Sequence, residues 1–243
     1  MLTVGELFIP EGLRVAQGPL DVIVHLHGAP EVAEQNLPHA GARAVLVTVS
    51  LNGVSTVYTE QFIRAETFLN LLDEAARETA THAGAAAIPF RRVILSSFSA
   101  GFGGVRELLK SAACYQRIDG LVMADSIYAG YKNDDEDLGI DNDLMAGFLR
   151  FARDAQAGRK RMVISYCALP TEGYASTAET ADYLMRELGA AQQPASEAWA
   201  EHWQCESRCE HGGLQLFGFA GTQSADHHRH LRNIGHLWKR ICQ

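Results

Sequence analysis

The sequence predicts an α/β protein: a mostly parallel sheet covered by helices on both faces. Three observations carry that reading. Six short runs are apolar and rich in β-branched residues without a polar alternate face, as strands buried on both sides require. Longer stretches with apolar residues at helical spacing stand between them. Gly, Asn, Asp and Pro punctuate the boundaries, and the repeated strand–helix order calls for right-handed crossovers onto one sheet.

Taken in order, PLDVIVHLHG (19–28) is the first strand, apolar through Leu26 and closed by a Gly. ARAVLVTVSLNG (42–53) is the second. Residues 59–84 repeat apolar side chains at helical spacing and end at Gly84, so one helix is expected there. RRVILSSFS (91–99) is the third strand, and Ala100–Ala113 a helix that starts on small residues. DGLVMADS (119–126) is the fourth strand, followed by a polar acidic loop, YAGYKNDDEDLGIDND (128–143), placed to hang over the strand ends and shape a pocket. Asn142–Ala157 gathers Leu144, Phe148, Leu149 and Phe151 on one side of a helix. RKRMVISYC (159–167) is the fifth strand. Ser176–Leu188 opens on a capping box, with Glu179 three residues after Ser176, and stops at Gly189. Residues 190–212 read as a short helix and a loop, GLQLFGFAG (213–221) as the sixth strand, and His227–Ile241 as the closing helix. No repeat or linker divides the chain, so residues 1–243 are expected to form a single domain.

Bulk properties narrow the function. With 243 residues, 47 % of them hydrophobic, the chain can bury a sizeable core. A net charge of −8 without a basic patch argues against nucleic acid. No apolar run reaches membrane-spanning length, and MLTVGELFIPEGL lacks the basic start and apolar run of a secretory leader. Five cysteines, widely spread, do not suggest a disulfide framework. The expectation is a cytoplasmic protein.

The third strand leaves through VILSSFSAGFGG (93–104). A strand-to-helix turn can expose one hydroxyl above a sheet if it is very tight, and tightness needs small residues two before and two after the nucleophile. Around Ser99 those positions hold Ser97 and Gly101. Around Ser97 or Ser96 they include Leu95, or Ile94 and Phe98, which are too bulky. Ser99 is therefore the candidate nucleophile. Acyl chemistry also needs two amides aimed at the developing oxyanion. The residue after the nucleophile, Ala100, supplies one. The turn HLHGAP at the end of the first strand supplies the other from Ala29, with Gly28 allowing the unusual backbone and His27 anchoring the loop.

With V-H-L-H-G at 24–28, S-F-S-A-G at 97–101, the strand–helix order and late histidines, the chain resembles the α/β-hydrolase superfamily, and among its members the small esterase-like ones. Ser97 departs from the usual Gly. The resemblance implies a serine hydrolase with the chain order Ser, acid, His and no cofactor. It places the base after the last strand, where GTQSADHHRHL offers His227 first, then His228 and His230. The acid is Asp125, at the end of the fourth strand, or Glu172, after the fifth, with Asp125 preferred. The implied partner is a small acyl substrate, with neither nucleic acid nor membrane, and with a homodimer as an option.

Two other functions compete. One is a non-catalytic binding protein on the same scaffold, which predicts a missing or misplaced acid. The other is a metal-dependent hydrolase using His25 and His27, two residues apart and so on one strand face. Cys205-x3-Cys209 with His202 and His211 has loose zinc spacing, but a helix with cysteines on one face explains it as well. The acidic run lacks the residue order of an EF-hand.

Overall fold

A computed structural model describes residues 2–14 and 18–243. Its strands are β1 (Glu6–Phe8), β2 (Leu20–Leu26), β3 (Ala44–Val49), β4 (Phe90–Phe98), β5 (Gly120–Ala124), β6 (Arg161–Cys167), β7 (Gln193–Ala200), β8 (Trp203–His211) and β9 (Leu214–Phe219). They form one sheet in the order β1-β3-β2-β4-β5-β6-β9-β8-β7. The six strands from β3 to β9 in that order run parallel, while β1 and the β7–β8 pair are antiparallel additions at the two edges. This is the expected fold, a mostly parallel sheet covered by helices on both faces.

The helices are α1 (Pro30–Asn36), α2 (Ser55–Phe62), α3 (Ala65–His82), α4 (Phe102–Lys110), α5 (Ala112–Arg117), α6 (Asn142–Gln156), α7 (Thr177–Leu188), α8 (Ser224–Arg232) and α9 (Ile234–Cys242). Alternation along each strand divides the core in two. Val22 and Val24 join Phe62, Phe68, Leu108 and Phe148 beneath α2 to α7. Ile23, Leu46 and Val163 join Leu231, Leu237 and Trp238 beneath α1, α8 and α9. All seven residues of β2 are buried, which explains the absence of a polar face in its sequence.

The structure corrects several boundaries. Residues 59–84 are two helices rather than one, because Arg64 is extended (φ −99°, ψ 120°). The break lets α2 lie against α4 while α3 turns its own stripe of Phe68, Leu71 and Leu72 onto the sheet. Ala100–Ala113 is likewise divided into a tight 3-10 turn, α4 and α5, the last capped by the Ser111 hydroxyl. The closing helix starts at Ser224 and breaks at Asn233. There the Asn36 side chain donates to the Arg232 carbonyl and accepts from the Gly235 amide, so one distant amide satisfies both sides of the break. Residues 190–212 are not a helix and loop but the β7–β8 hairpin, turned at His202 with φ +57°. Only β8 buries an alternating set, Trp203, Cys205 and Cys209; β7 is an exposed edge and has no apolar pattern to read. The capping box at Ser176 and Glu179 and the left-handed Gly189 stop are as expected.

Candidate active site

The candidate residues converge at the carboxyl ends of the parallel strands, where open α/β sheets form their clefts. Six non-glycine residues among those described have positive φ. Asn133, Asp134 and His202 lie in surface turns. The other three are His27 (70°), Ser99 (46°) and Asp125 (46°), just beyond the ends of β2, β4 and β5. Such backbones cost of order 1–3 kcal/mol each and persist only where the surroundings enforce them.

At Ser99 the enforcement is visible. A Cβ on Gly101 would stand 2.7 Å from Ser97 Oγ and 2.9 Å from the Leu26 carbonyl carbon. A Cβ on Gly103 would stand 2.8 Å from Thr59 Oγ1, and one on Gly104 2.8 Å from the Phe62 ring. The glycines thus let the turn and the first turn of α4 press against β2 and α2. Ser97, in place of the usual Gly, is fully buried, and its hydroxyl needs a partner. It has Ser126 Oγ at 2.6 Å, and Ser126 Oγ in turn donates to the Ser99 carbonyl over 2.8 Å.

Ser99 is partly exposed, and its Oγ lies 2.9 Å from His227 Nε2. His227 Nδ1 lies 2.6 Å from Asp125 Oδ2. Asp125 is fully buried and accepts further bonds from the Cys167 amide (3.1 Å), the Cys167 thiol (3.1 Å) and the Thr177 hydroxyl. Burial alone would raise its pKa. Positive charge at His230, hydrogen bonding and charge at His227, and the Thr177 hydroxyl more than offset that and hold it at about 2. Burial keeps His230 itself neutral, with a pKa of about 4, so at neutral pH the hydrogen bonds carry the effect. An ionised Asp125 can only accept, so His227 Nδ1 carries the proton, Nε2 accepts, and the Ser99 hydroxyl donates to it. This chain can take a proton from Ser99 and stabilise the resulting imidazolium.

Opposite this chain, His27 and Gly28 (φ +112°) bend the backbone after β2. Among the described residues, the Ala29 amide is not a donor in any hydrogen bond of the turns and loops. Tyr58 holds the bend: its hydroxyl lies 3.0 Å from His27 Nδ1 and accepts from the Leu51 amide over 2.8 Å. Gly28 leaves no room for a side chain, since a Cβ would stand 2.8 Å from Leu231 Cδ2. The Phe98 ring stacks on His227 at 4.5 Å and on His27 at 6.1 Å.

The remaining candidates lie elsewhere. His228 is exposed, and its Nδ1 meets the Ser224 carbonyl at 2.8 Å. His230 is buried against Ser165 Oγ at 2.7 Å. Glu172 is exposed in the β6–α7 loop, and no hydrogen bond joins it to an imidazole among the described residues. His25 and His27 do not share a strand face: His25 is buried beside Ser96 Oγ at 3.0 Å, whereas His27 leaves the strand at positive φ. Cys205 and Cys209 point into the core from β8, not from a helix, and His202 and His211 are exposed. None of His25, His27, His202, Cys205, Cys209 and His211 belongs to a metal-ligand grouping among the described residues. The sequence reading missed Tyr58, Thr177, Cys167 and Ser126, whose contacts to the site span 27 to 52 residues.

No protein-family model matches the chain, and none matches among curated proteins. Solved structures of similar fold exist. One is a protein of Capnocytophaga ochracea DSM 7271, at 10 % identity and a TM-score of 0.50; the likeness covers 96 % of this chain and 59 % of that one. The present chain therefore spans under two thirds of that protein. Another is a soluble variant of the monoglyceride lipase of Saccharomyces cerevisiae in complex with a substrate analogue, at 8 % identity and a TM-score of 0.41, covering 96 % and 90 %. At 10 % identity the first likeness is one of fold alone. No helix among the described residues is long and apolar enough to cross a membrane.

Proposed function

We propose that the protein is a serine hydrolase that cleaves an ester-like or amide-like acyl bond through Ser99, His227 and Asp125. The observation that carries this reading is the unbroken hydrogen-bond chain from buried Asp125 through His227 to a hydroxyl held at positive φ. In the first half-reaction His227 Nε2 takes the Ser99 proton as Oγ attacks the acyl carbon. The carbonyl oxygen becomes an oxyanion that accepts from the Ala29 and Ala100 amides, each such donor being worth roughly 100- to 1,000-fold in rate. His227 then returns the proton to the leaving group, and the acyl group stays on Ser99. Water, deprotonated by the same nitrogen, releases the acid and restores the hydroxyl. Phe102, Tyr128 and Tyr174, in ring contact at 5.3 and 5.8 Å, form an aromatic wall beside Asp125 suited to an apolar acyl or leaving group.

A binding-only scaffold predicts a displaced acid, whereas here a carboxylate stands 2.6 Å from the imidazole. A mechanism through His25 and His27 loses its geometric basis, because the two rings have separate partners. The test is hydrolysis of short p-nitrophenyl esters by the wild type and by Ser99→Ala and His227→Ala. Turnover by the wild type and near-background rates in both folded variants are expected; a folded Ser99→Ala protein with the wild-type rate overturns the proposal.

A further inference from the structure

One group of side chains exceeds what this mechanism needs. Asp125, Cys167 and His230 are all buried, and one ligand-capable atom of each lies within 4.8 Å of the other two. Among the described residues it is the one such grouping of three or more Cys, His, Asp and Glu side chains. Two of the three follow from adjacent strand ends, β5 and β6, and the third projects from α8, so the framework is fixed. His230 also carries an orphan. Its Nδ1 meets Ser165 Oγ, but its Nε2 is buried with no hydrogen-bond partner among the described residues. A buried polar atom in that state costs about 1–3 kcal/mol.

We propose that Asp125, Cys167 and a ring nitrogen of His230 form a buried site for one soft divalent cation of the Zn2+ class. Carboxylate, thiolate and neutral imidazole are the ligand types such an ion takes. Their summed charge of about −2 cancels that of the ion, so the closed site is neutral and its burial is not penalised as a net charge is. Binding releases the Cys167 thiol proton to solvent. Metal–ligand bonds of roughly 2.0–2.3 Å bring tetrahedral ligand atoms to about 3.5 Å apart, so the group must contract by about 1 Å at its widest. A fourth position remains for water.

The site shares Asp125 Oδ2 with His227 Nδ1. An ion there takes the carboxylate from the imidazole, so occupancy and an intact Asp125–His227–Ser99 chain exclude one another. That this inhibits a reaction rests on the hydrolase reading; that the ion binds does not.

The test is titration of the metal-free protein with Co2+, followed by displacement with Zn2+. One equivalent of Co2+ should give tetrahedral visible bands and a near-ultraviolet thiolate-to-cobalt band. Cys167→Ser should abolish the thiolate band and weaken Zn2+ binding by at least the ~10–100-fold seen when even an outer-shell partner is lost. His230→Gln should weaken binding, and Cys205→Ser and Ser99→Ala should leave the band intact. Absence of a thiolate band in the wild type, or its survival in Cys167→Ser, overturns the proposal, and the wild-type spectrum decides if a variant does not fold. Labelling of Ser99 by a fluorophosphonate, run in parallel, should fall in step with Zn2+ occupancy. A protein with the band that never labels keeps the metal site and loses the hydrolase reading; one that labels but shows no band does the reverse.

Discussion

Replacing Gly101 with alanine adds one methyl group at the most crowded point of the nucleophile turn. The backbone there is ordinary (φ −61°, ψ −17°), so the effect is steric and not conformational. The methyl would stand 2.7 Å from Ser97 Oγ and 2.9 Å from the Leu26 carbonyl carbon, with the Leu26 carbonyl oxygen nearer still, where ordinary contact begins at 3.4 Å. Leu26 closes a fully buried central strand and cannot retreat, so the turn must move outward by on the order of 0.5–1 Å. Overpacking of this kind costs about 1–3 kcal/mol. For a chain of this length that lowers the melting temperature by roughly 2–12 °C. The displaced part is the Ser99 hydroxyl and the Ala100 amide, and a misplacement near 1 Å costs about 100-fold in rate. Gly130→Ala is the control, because its methyl would find only Leu144 Cδ1 at 3.5 Å. Differential scanning calorimetry and ester turnover on the two variants measure both effects. A Gly101→Ala protein with wild-type stability and rate refutes the argument that this turn is held by contact.

Three further outcomes are expected. Asp125→Asn keeps the size of the side chain but puts a donor where four groups now donate; turnover should fall by roughly 10,000-fold through the wrong His227 tautomer, and a folded variant at near wild-type rate would contradict the hydrogen-bond scheme. Tyr58→Phe removes the hydroxyl tying His27 to Leu51; it should cost about 1–3 kcal/mol in urea denaturation and slow turnover with little change in KM, whereas an unchanged rate would mean that the Ala29 bend holds itself. Acid should destabilise the protein well above the carboxylate range. Burial holds His25 and His230 neutral, at about 3 and about 4 against an ordinary 6.5, so the unfolded chain binds more protons as pH falls below 6.5. Stability is complete above 6.5 and declines by about 1 kcal/mol per pH unit for each ring down toward pH 4, and Asp125 adds its own loss as pH falls from 3.8 toward 2. A melting temperature that is flat from pH 6.5 to 4.5 would show that these rings are not buried neutral.

The parallel strands were legible because burial on both faces leaves an uninterrupted apolar run, as in VILSSF before Ser99. Helix breaks were not, because the apolar stripe runs on across Ile63–Arg64 and what interrupts it is the packing of α2 on α4. The β7–β8 hairpin was hidden for the opposite reason: an exposed edge strand needs no apolar face. At the site, Ser99 could be singled out by the size of its neighbours, and Asp125 by its place at a strand end. His227, His228 and His230 are alike in sequence, but successive helical residues turn by about 100°, so one ring faces Ser99, one faces solvent and one faces the core. The groups that tune Asp125, Cys167 and Thr177, lie 42 and 52 residues away and carried no local signal.

Mass spectrometry of the fluorophosphonate-treated protein, with peptide mapping, tests the central claim most directly. One adduct per chain, on Ser99 and absent from Ser99→Ala, is the expected result. A folded wild type that stays unmodified by a panel of such probes, or carries its adduct on another residue, would contradict it.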